Sequence, residues 1–115
     1  MTIQFDTGSF DFINCSRVLH FADSSDEFIE IMGELARVLS PRGLLYLSMD
    51  SMIGFEQKVK KIDEFKHQFP DGTIRFMLTE DRLGEIEKEW NHVIEPRTII
   101  FNGQHAETTL VLQKS

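Results

Sequence analysis

Cysteine, proline and long apolar runs are all scarce in this sequence. Its single cysteine, Cys15, excludes an internal disulfide in a chain of 115 residues, and that scarcity points to a reduced, cytoplasmic setting. No stretch approaches the roughly 20 apolar residues that span a bilayer, and there is no signal-peptide pattern, so no membrane partner is expected. Basic residues are outnumbered, 12 against 19 acidic ones, for a formal charge of −7. Only Lys58, Lys60 and Lys61 form a basic cluster. Such a surface attracts polyanions weakly, and nucleic acid is not an expected ligand. The four histidines, at 20, 67, 92 and 105, are scattered. With one cysteine they build no zinc site, and no catalytic triad is visible, so neither a metal nor a dedicated catalytic residue is expected.

What is present describes an ordered globular chain. A hydrophobic share of 41% with ten phenylalanines supports one core, so residues 1–115 are read as a single domain. Cys15, inside an apolar run, is expected to be a small buried hydrophobe, since nothing near it in sequence would lower its pKa.

Thr7-Gly8-Ser9 reads as a turn, and Phe10, Phe12, Ile13 and Cys15 as a first strand whose apolar residues do not strictly alternate. That pattern suits a strand covered on both faces, as in a parallel sheet. Ser24 and Glu27 form a capping box with Asp26 in the first turn, opening a helix whose apolar stripe is Phe28, Ile31, Met32, Leu35, Val38 and Leu39. After Ser40-Pro41-Arg42-Gly43, residues Leu44 to Met49 read as a second strand. The resulting βαβ unit makes the two strands parallel, since such crossovers are right-handed in roughly 98% of cases.

From Ile53 the positions Phe55, Val59, Ile62, Phe65 and Phe69 predict a second amphipathic helix, ended by Pro70. Thr73 to Leu78 reads as a brief extended piece, and Thr79-Glu80-Asp81 opens a third helix with Leu83, Ile86 and Trp90 on one side. His92 to Ile94 and Arg97 to Phe101 read as extended chain bent at Pro96. Asn102-Gly103 is a hairpin signal, and Thr108 to Leu112 is the closing strand.

The run "GSFDFINCSRVLHF" followed by "ELARVLSPRGLLYLS", with "IQFDT" before it and "TTLVLQKS" at the end, resembles the second half of a class I S-adenosylmethionine-dependent methyltransferase. Within that family it is most similar to small-molecule enzymes such as the tellurite-resistance type. Phe10-Asp11, Ala36-Arg37-Val38-Leu39 and Pro41 to Gly43 stand where the family has a phenylalanine-aspartate pair, a leucine- and arginine-containing helix end and a proline-glycine turn. The implied fold class is α/β, a truncated Rossmann-like methyltransferase sheet (family strands 4, 5, 7, 6) with flanking helices and a C-terminal antiparallel hairpin.

The resemblance implies S-adenosyl-L-methionine as cofactor, with Ser16, Arg17, Val18 and Leu19 flanking its methionine part. His20 would face the acceptor pocket, and Asp50 and Ser51 would border it, at the carboxyl ends where α/β sheets bind ligands. Two departures stand out. Arg42 replaces a usual glycine. More importantly, the seven glycines, at 8, 33, 43, 54, 72, 84 and 103, never cluster into the glycine-rich loop that lets backbone approach a nucleotide. The family's first three strands are not in this chain, so the expectation is a fragment, or a half completed by a partner. The strand at 10–15 would then have an open edge, and a homodimer or a partner chain is expected to cover it. The competing expectation is a non-catalytic interaction module that keeps the scaffold.

Overall fold

The computed structural model describes residues 5–16, 24–63 and 66–114. Strand β1, Phe10–Ser16, leads to helix α1, Ser25–Val38, which passes directly into strand β2, Leu39–Asp50. The helix starts where the capping residues predict: the Ser24 hydroxyl accepts from the Glu27 amide at 3.1 Å. It buries Phe28, Ile31, Met32, Leu35 and Val38, the stripe read from the sequence. Its neighbour in that stripe, Leu39, has already turned into extended chain, with ψ of 139°.

β1 and β2 are parallel, as the βαβ reading requires. They pair from Phe10 with Leu39, break register around the turn, and resume from Phe12 with Leu44 to Ser16 with Ser48. Arg42 sits in that turn at φ 65°, the left-handed region that a glycine would occupy without strain. Arg42 thus holds a conformation that its side chain resists. Gly43 answers a different demand, since a Cβ there would lie 2.9 Å from both Leu39 Cδ2 and the Ser40 carbonyl oxygen.

Helix α2, Glu80–Glu87, is capped by the Thr79 hydroxyl, which accepts from the Arg82 amide at 3.2 Å. Strands β6, Trp90–Phe101, and β7, His105–Lys114, close the chain as an antiparallel hairpin. Between β2 and α2 lie three short strands, β3 at Lys60–Lys61, β4 at His67–Gln68 and β5 at Ile74–Arg75. Asn102 and Gly103 take φ of 52° and 67°, and the Gln104 amide donates to the Phe101 carbonyl at 2.9 Å. Two successive left-handed residues are what an Asn-Gly pair makes inexpensive. Pro96 lies on an edge strand, within the register shift between Ile94 and Arg97, where a missing N–H costs the ladder little.

The main sheet has the order β1-β2-β7-β6, with β7 antiparallel to both neighbours. This is the truncated methyltransferase-like order 4, 5, 7, 6 that the resemblance implies. Both helices pack on one face, where Phe28, Ile31 and Leu35 of α1 and Leu83 and Ile86 of α2 meet Leu45, Leu47, Leu110 and Leu112 of the sheet. Fully buried side chains of this size each contribute about 1.5–3 kcal/mol. The other face presents Asn14, Tyr46, Val111 and Ile94 in one cross-strand row, and Phe12 beside Leu44 in the next.

The helix predicted from Ile53 to Phe69 does not form. In its place a single 3₁₀ turn, Glu56–Lys58, leads to a small antiparallel sheet of β3, Lys60–Lys61, β4, His67–Gln68, and β5, Ile74–Arg75. The 3.6-residue spacing misled because its two buried aromatic positions reach their partners from non-helical chain. Phe55 and Phe69 pack with Met77 and Ala106 as a second small core, whereas Ile62 is 44% exposed. Local chemistry also competes with a helix: the Asp63 carboxylate accepts from the Lys66 amide at 2.7 Å, and the Ile62 amide donates to the Lys66 carbonyl at 3.0 Å. Phe65 lies outside the described residues.

Candidate functional site

Two parallel strands present their carboxyl ends at one lip of the main sheet. Ser16, the last residue of β1, stands opposite Ser48, and β2 runs two residues further to Asp50. Ser16 is exposed, and its hydroxyl donates to the Asn14 side-chain oxygen. Arg17, Val18, Leu19 and His20, the other residues expected on this lip, lie outside the described residues.

Ser51 and Asp50 are both buried, at 0% and 2% exposure. Ser51 ties the end of β2 to the start of β7 and to the chain that follows. Its amide donates to the Ala106 carbonyl at 3.0 Å, and its hydroxyl accepts from the Ile53 amide at 3.1 Å. The neighbouring Met52 amide and Asp50 carbonyl bond to Leu78 at 3.0 and 2.9 Å, forming a parallel bridge beside β2. With its hydroxyl engaged in this way, Ser51 positions the strand end.

Asp50 points into a cleft of about 140 Å³ that it shares with Phe69, Asp71, Thr73, Arg75 and His105. The Arg75 Nε lies 3.7 Å from the Asp50 carboxylate. Across the cleft, the Asp71 carboxylate accepts from the Thr73 amide at 2.9 Å, and that bond holds its carboxyl below the usual range. His105 Nδ1 lies 3.6 Å from Asp71. The imidazole stacks on Phe101, with centroids 4.7 Å apart, and meets Phe69 edge-on at 5.7 Å.

Sequence reasoning found Asp50 and missed the rest of this cleft. Asp71 was legible only as part of the Pro70-Asp71-Gly72 turn. Arg75 carries no sequence signal, because the small sheet that stands in place of the predicted helix is what brings it to Asp50, and His105 arrives from the start of β7, the strand that pairs with β2. Cys15 is buried at 7% exposure and burial pushes its thiol up, in keeping with a hydrophobe and not a nucleophile. Among the described residues no group of three or more His, Cys, Asp or Glu could hold a metal ion, and no helix is long and apolar enough to cross a membrane.

A family model described as a methyltransferase domain matches residues 1–47. No curated protein sequence matches the chain. Among solved structures it is similar to a SAM-dependent methyltransferase from Methanosarcina mazei, with 19% identity and a TM-score of 0.75 over 98% of this chain and 63% of that one. It is also similar to 1,6-didemethyltoxoflavin-N1-methyltransferase from Burkholderia thailandensis, solved with 1,6-didemethyltoxoflavin and S-adenosylhomocysteine; identity is 16% and the TM-score 0.63, over 97% and 47% of the two chains. A third similar structure is the [4+2]-cyclase SpnF, at 12% identity and TM-score 0.64, over 98% and 52%. The chain thus has the fold of S-adenosylmethionine-dependent methyltransferases and spans between about half and two thirds of the length of these relatives.

Proposed function

We propose that this chain forms the acceptor side, and one wall of the methyl-donor site, of a methyltransferase that acts on a small molecule with S-adenosyl-L-methionine. The observation that carries the reading is the parallel β1/β2 pair, with Ser16 at the end of β1 opposite Ser48 and β2 continuing to Asp50. Ligands of α/β sheets bind outside such carboxyl ends. Ser16, Arg17, Val18 and Leu19 are assigned to the methionine part of the cofactor, and His20, Asp50 and Ser51 to the border of the acceptor pocket.

When bound, the cofactor supplies a methyl group already activated on a sulfonium. The chain's own work is to hold an acceptor in line and exclude water, for which no catalytic triad or metal is required. The residues present fit only part of this cofactor. None of the seven glycines clusters into a loop for its nucleoside, so the chain alone is expected to bind it weakly and to be inactive until further polypeptide completes the site. The single buried Cys15 fits a reduced, cytoplasmic setting.

One observation favours a second reading, a non-catalytic interaction module. Strand β1 pairs only with β2 in the described sheet, and Phe12 on it is 56% exposed. That open edge suits a homodimer or a partner chain covering residues 10–15. The fold also carries other chemistry, as the cyclase relative shows by its name.

Calorimetry with S-adenosylmethionine and S-adenosylhomocysteine separates the two readings. Saturable heat at millimolar ligand supports the methyltransferase reading. Its absence, in a chain that still self-associates, contradicts that reading and favours the interaction module.

A further inference from the structure

We propose that the cavity between the starts of α1 and α2 takes a small amino acid-like zwitterion, its carboxylate held by Arg82 and its ammonium group by Asp81 and Glu85. The inference rests on the methyltransferase reading only where it calls this ligand the methyl acceptor. The preference for a ligand of both signs comes from the cavity itself.

Position and size come first. Ser25 opens α1, the helix that follows the carboxyl end of β1, while Met77 and Thr79 flank Leu78, which bridges to Ser51 just past β2. The cavity that these residues line therefore lies at the same end of the sheet as the β1/β2 lip. Its volume of about 340 Å³ falls within the roughly 300–1,000 Å³ of small-molecule sites.

The cation in this cavity has no counter-ion. Among the described residues no carboxylate pairs with Arg82. Its guanidinium carbon lies 4.5 Å from the ring centroid of Phe76 and 5.7 Å from that of Phe28, and a terminal nitrogen donates to the Ser25 hydroxyl. These contacts fix the group in place without neutralising it. His67, on the cavity wall, registers the charge: burial lowers its pKa most and Lys61 next, Asp63 opposes them, and Arg82 lowers it again. The hydroxyls of Ser25 and Thr79 accept from the side chain and the amide of Arg82 respectively, so each keeps its own proton to donate. A guanidinium and two hydroxyls together suit a ligand carboxylate.

The anions are equally open. Asp81 and Glu85 stand four residues apart on one face of α2, both exposed, both lining the cavity and neither paired among the described residues. Like charges at that spacing repel, and an ammonium group between them relieves the repulsion. A simple anion meets these two carboxylates, and a simple cation meets the guanidinium. Only a ligand that carries both signs satisfies both sets. Ile29, 55% exposed, and Met77 offer its side chain an apolar wall.

The test titrates the ¹⁵N-labelled chain at fixed ionic strength, without cofactor, with L-phenylalanine, with 3-phenylpropanoate and with 2-phenylethylamine, which share one body and differ in charge. Phenylalanine is expected to give saturable shifts centred on Ser25, Ile29, Met77, Thr79 and Arg82, and each analogue to bind at least about tenfold more weakly. Glu85→Gln should weaken phenylalanine about fivefold and leave 3-phenylpropanoate no weaker. Glu95→Gln removes the same charge on β6 and should leave binding unchanged. Equal or tighter binding of either analogue, shifts centred elsewhere or absent, or equal weakening by both variants would each overturn the proposal. Because no cofactor is present, failure here leaves the calorimetric test of methyl-donor binding untouched, and failure of that test leaves this one standing.

Discussion

Ser16 and Ser48 face each other in the parallel register of β1 and β2, so two strands present their carboxyl ends side by side. Ser16 is exposed, and a large side chain there costs the fold little, within about 0.5 kcal/mol for an ordinary surface position. Ser16→Trp is therefore expected to leave the urea midpoint unchanged while abolishing the calorimetric heat with S-adenosylhomocysteine. Retained heat would move the methyl-donor wall away from this lip.

The turn between α1 and β2 makes opposite predictions for adjacent residues. Arg42 holds φ 65°, so Arg42→Gly relieves a left-handed conformation worth roughly 1 kcal/mol and should raise stability, less the entropy glycine adds to the unfolded chain. Gly43→Ala brings a Cβ to 2.9 Å from the Ser40 carbonyl oxygen and should destabilise by about 1–3 kcal/mol. Urea unfolding of both variants checks the pair, and equal signs would contradict the described turn.

That turn also shows what the sequence made legible. Capping residues, the stripe of α1, the βαβ unit and the Asn102-Gly103 hairpin are local signals, each with its own chemistry, and each was read correctly. The stretch from Ile53 to Phe69 was not, because its apolar spacing is compatible with a helix. Its true course depends on Met77 and Ala106, which are distant in sequence and supply the packing for Phe55 and Phe69. The candidate site divides in the same way. Asp50 was visible as the residue after a strand, whereas Arg75 reaches it only through the small sheet that replaces the predicted helix, and His105 only through the pairing of β7 with β2.

The open edge of β1 predicts self-association or a partner. Phe12 is 56% exposed on that strand, and Phe12→Lys places a charge where pairing would occur. Sedimentation should show the parent chain associating at high concentration and the variant remaining monomeric, with an unchanged thermal midpoint. A monomeric parent, or a variant that associates equally well, would contradict the edge-pairing reading.

His67 gives the chain a specific pH response. Burial lowers its pKa from the ordinary 6.5, Lys61 lowers it further, Asp63 opposes them and Arg82 again lowers it. The folded state therefore favours the neutral ring, while the unfolded chain binds a proton near pH 6.5. Stability from this group is fully present above 6.5 and is lost as pH falls from there towards the depressed folded value. His67→Gln should flatten this part of the stability profile below pH 6.5. Identical slopes for parent and variant would show that the ring is not desolvated.

The central claim is that the lip formed by β1 and β2 is one wall of a methyl-donor site, and mapping S-adenosylhomocysteine onto the ¹⁵N-labelled chain by NMR tests it most directly. Weak, saturable shifts confined to residues 16–20 and 48–51 are predicted. Shifts centred anywhere else, or no shifts at millimolar ligand, would contradict it.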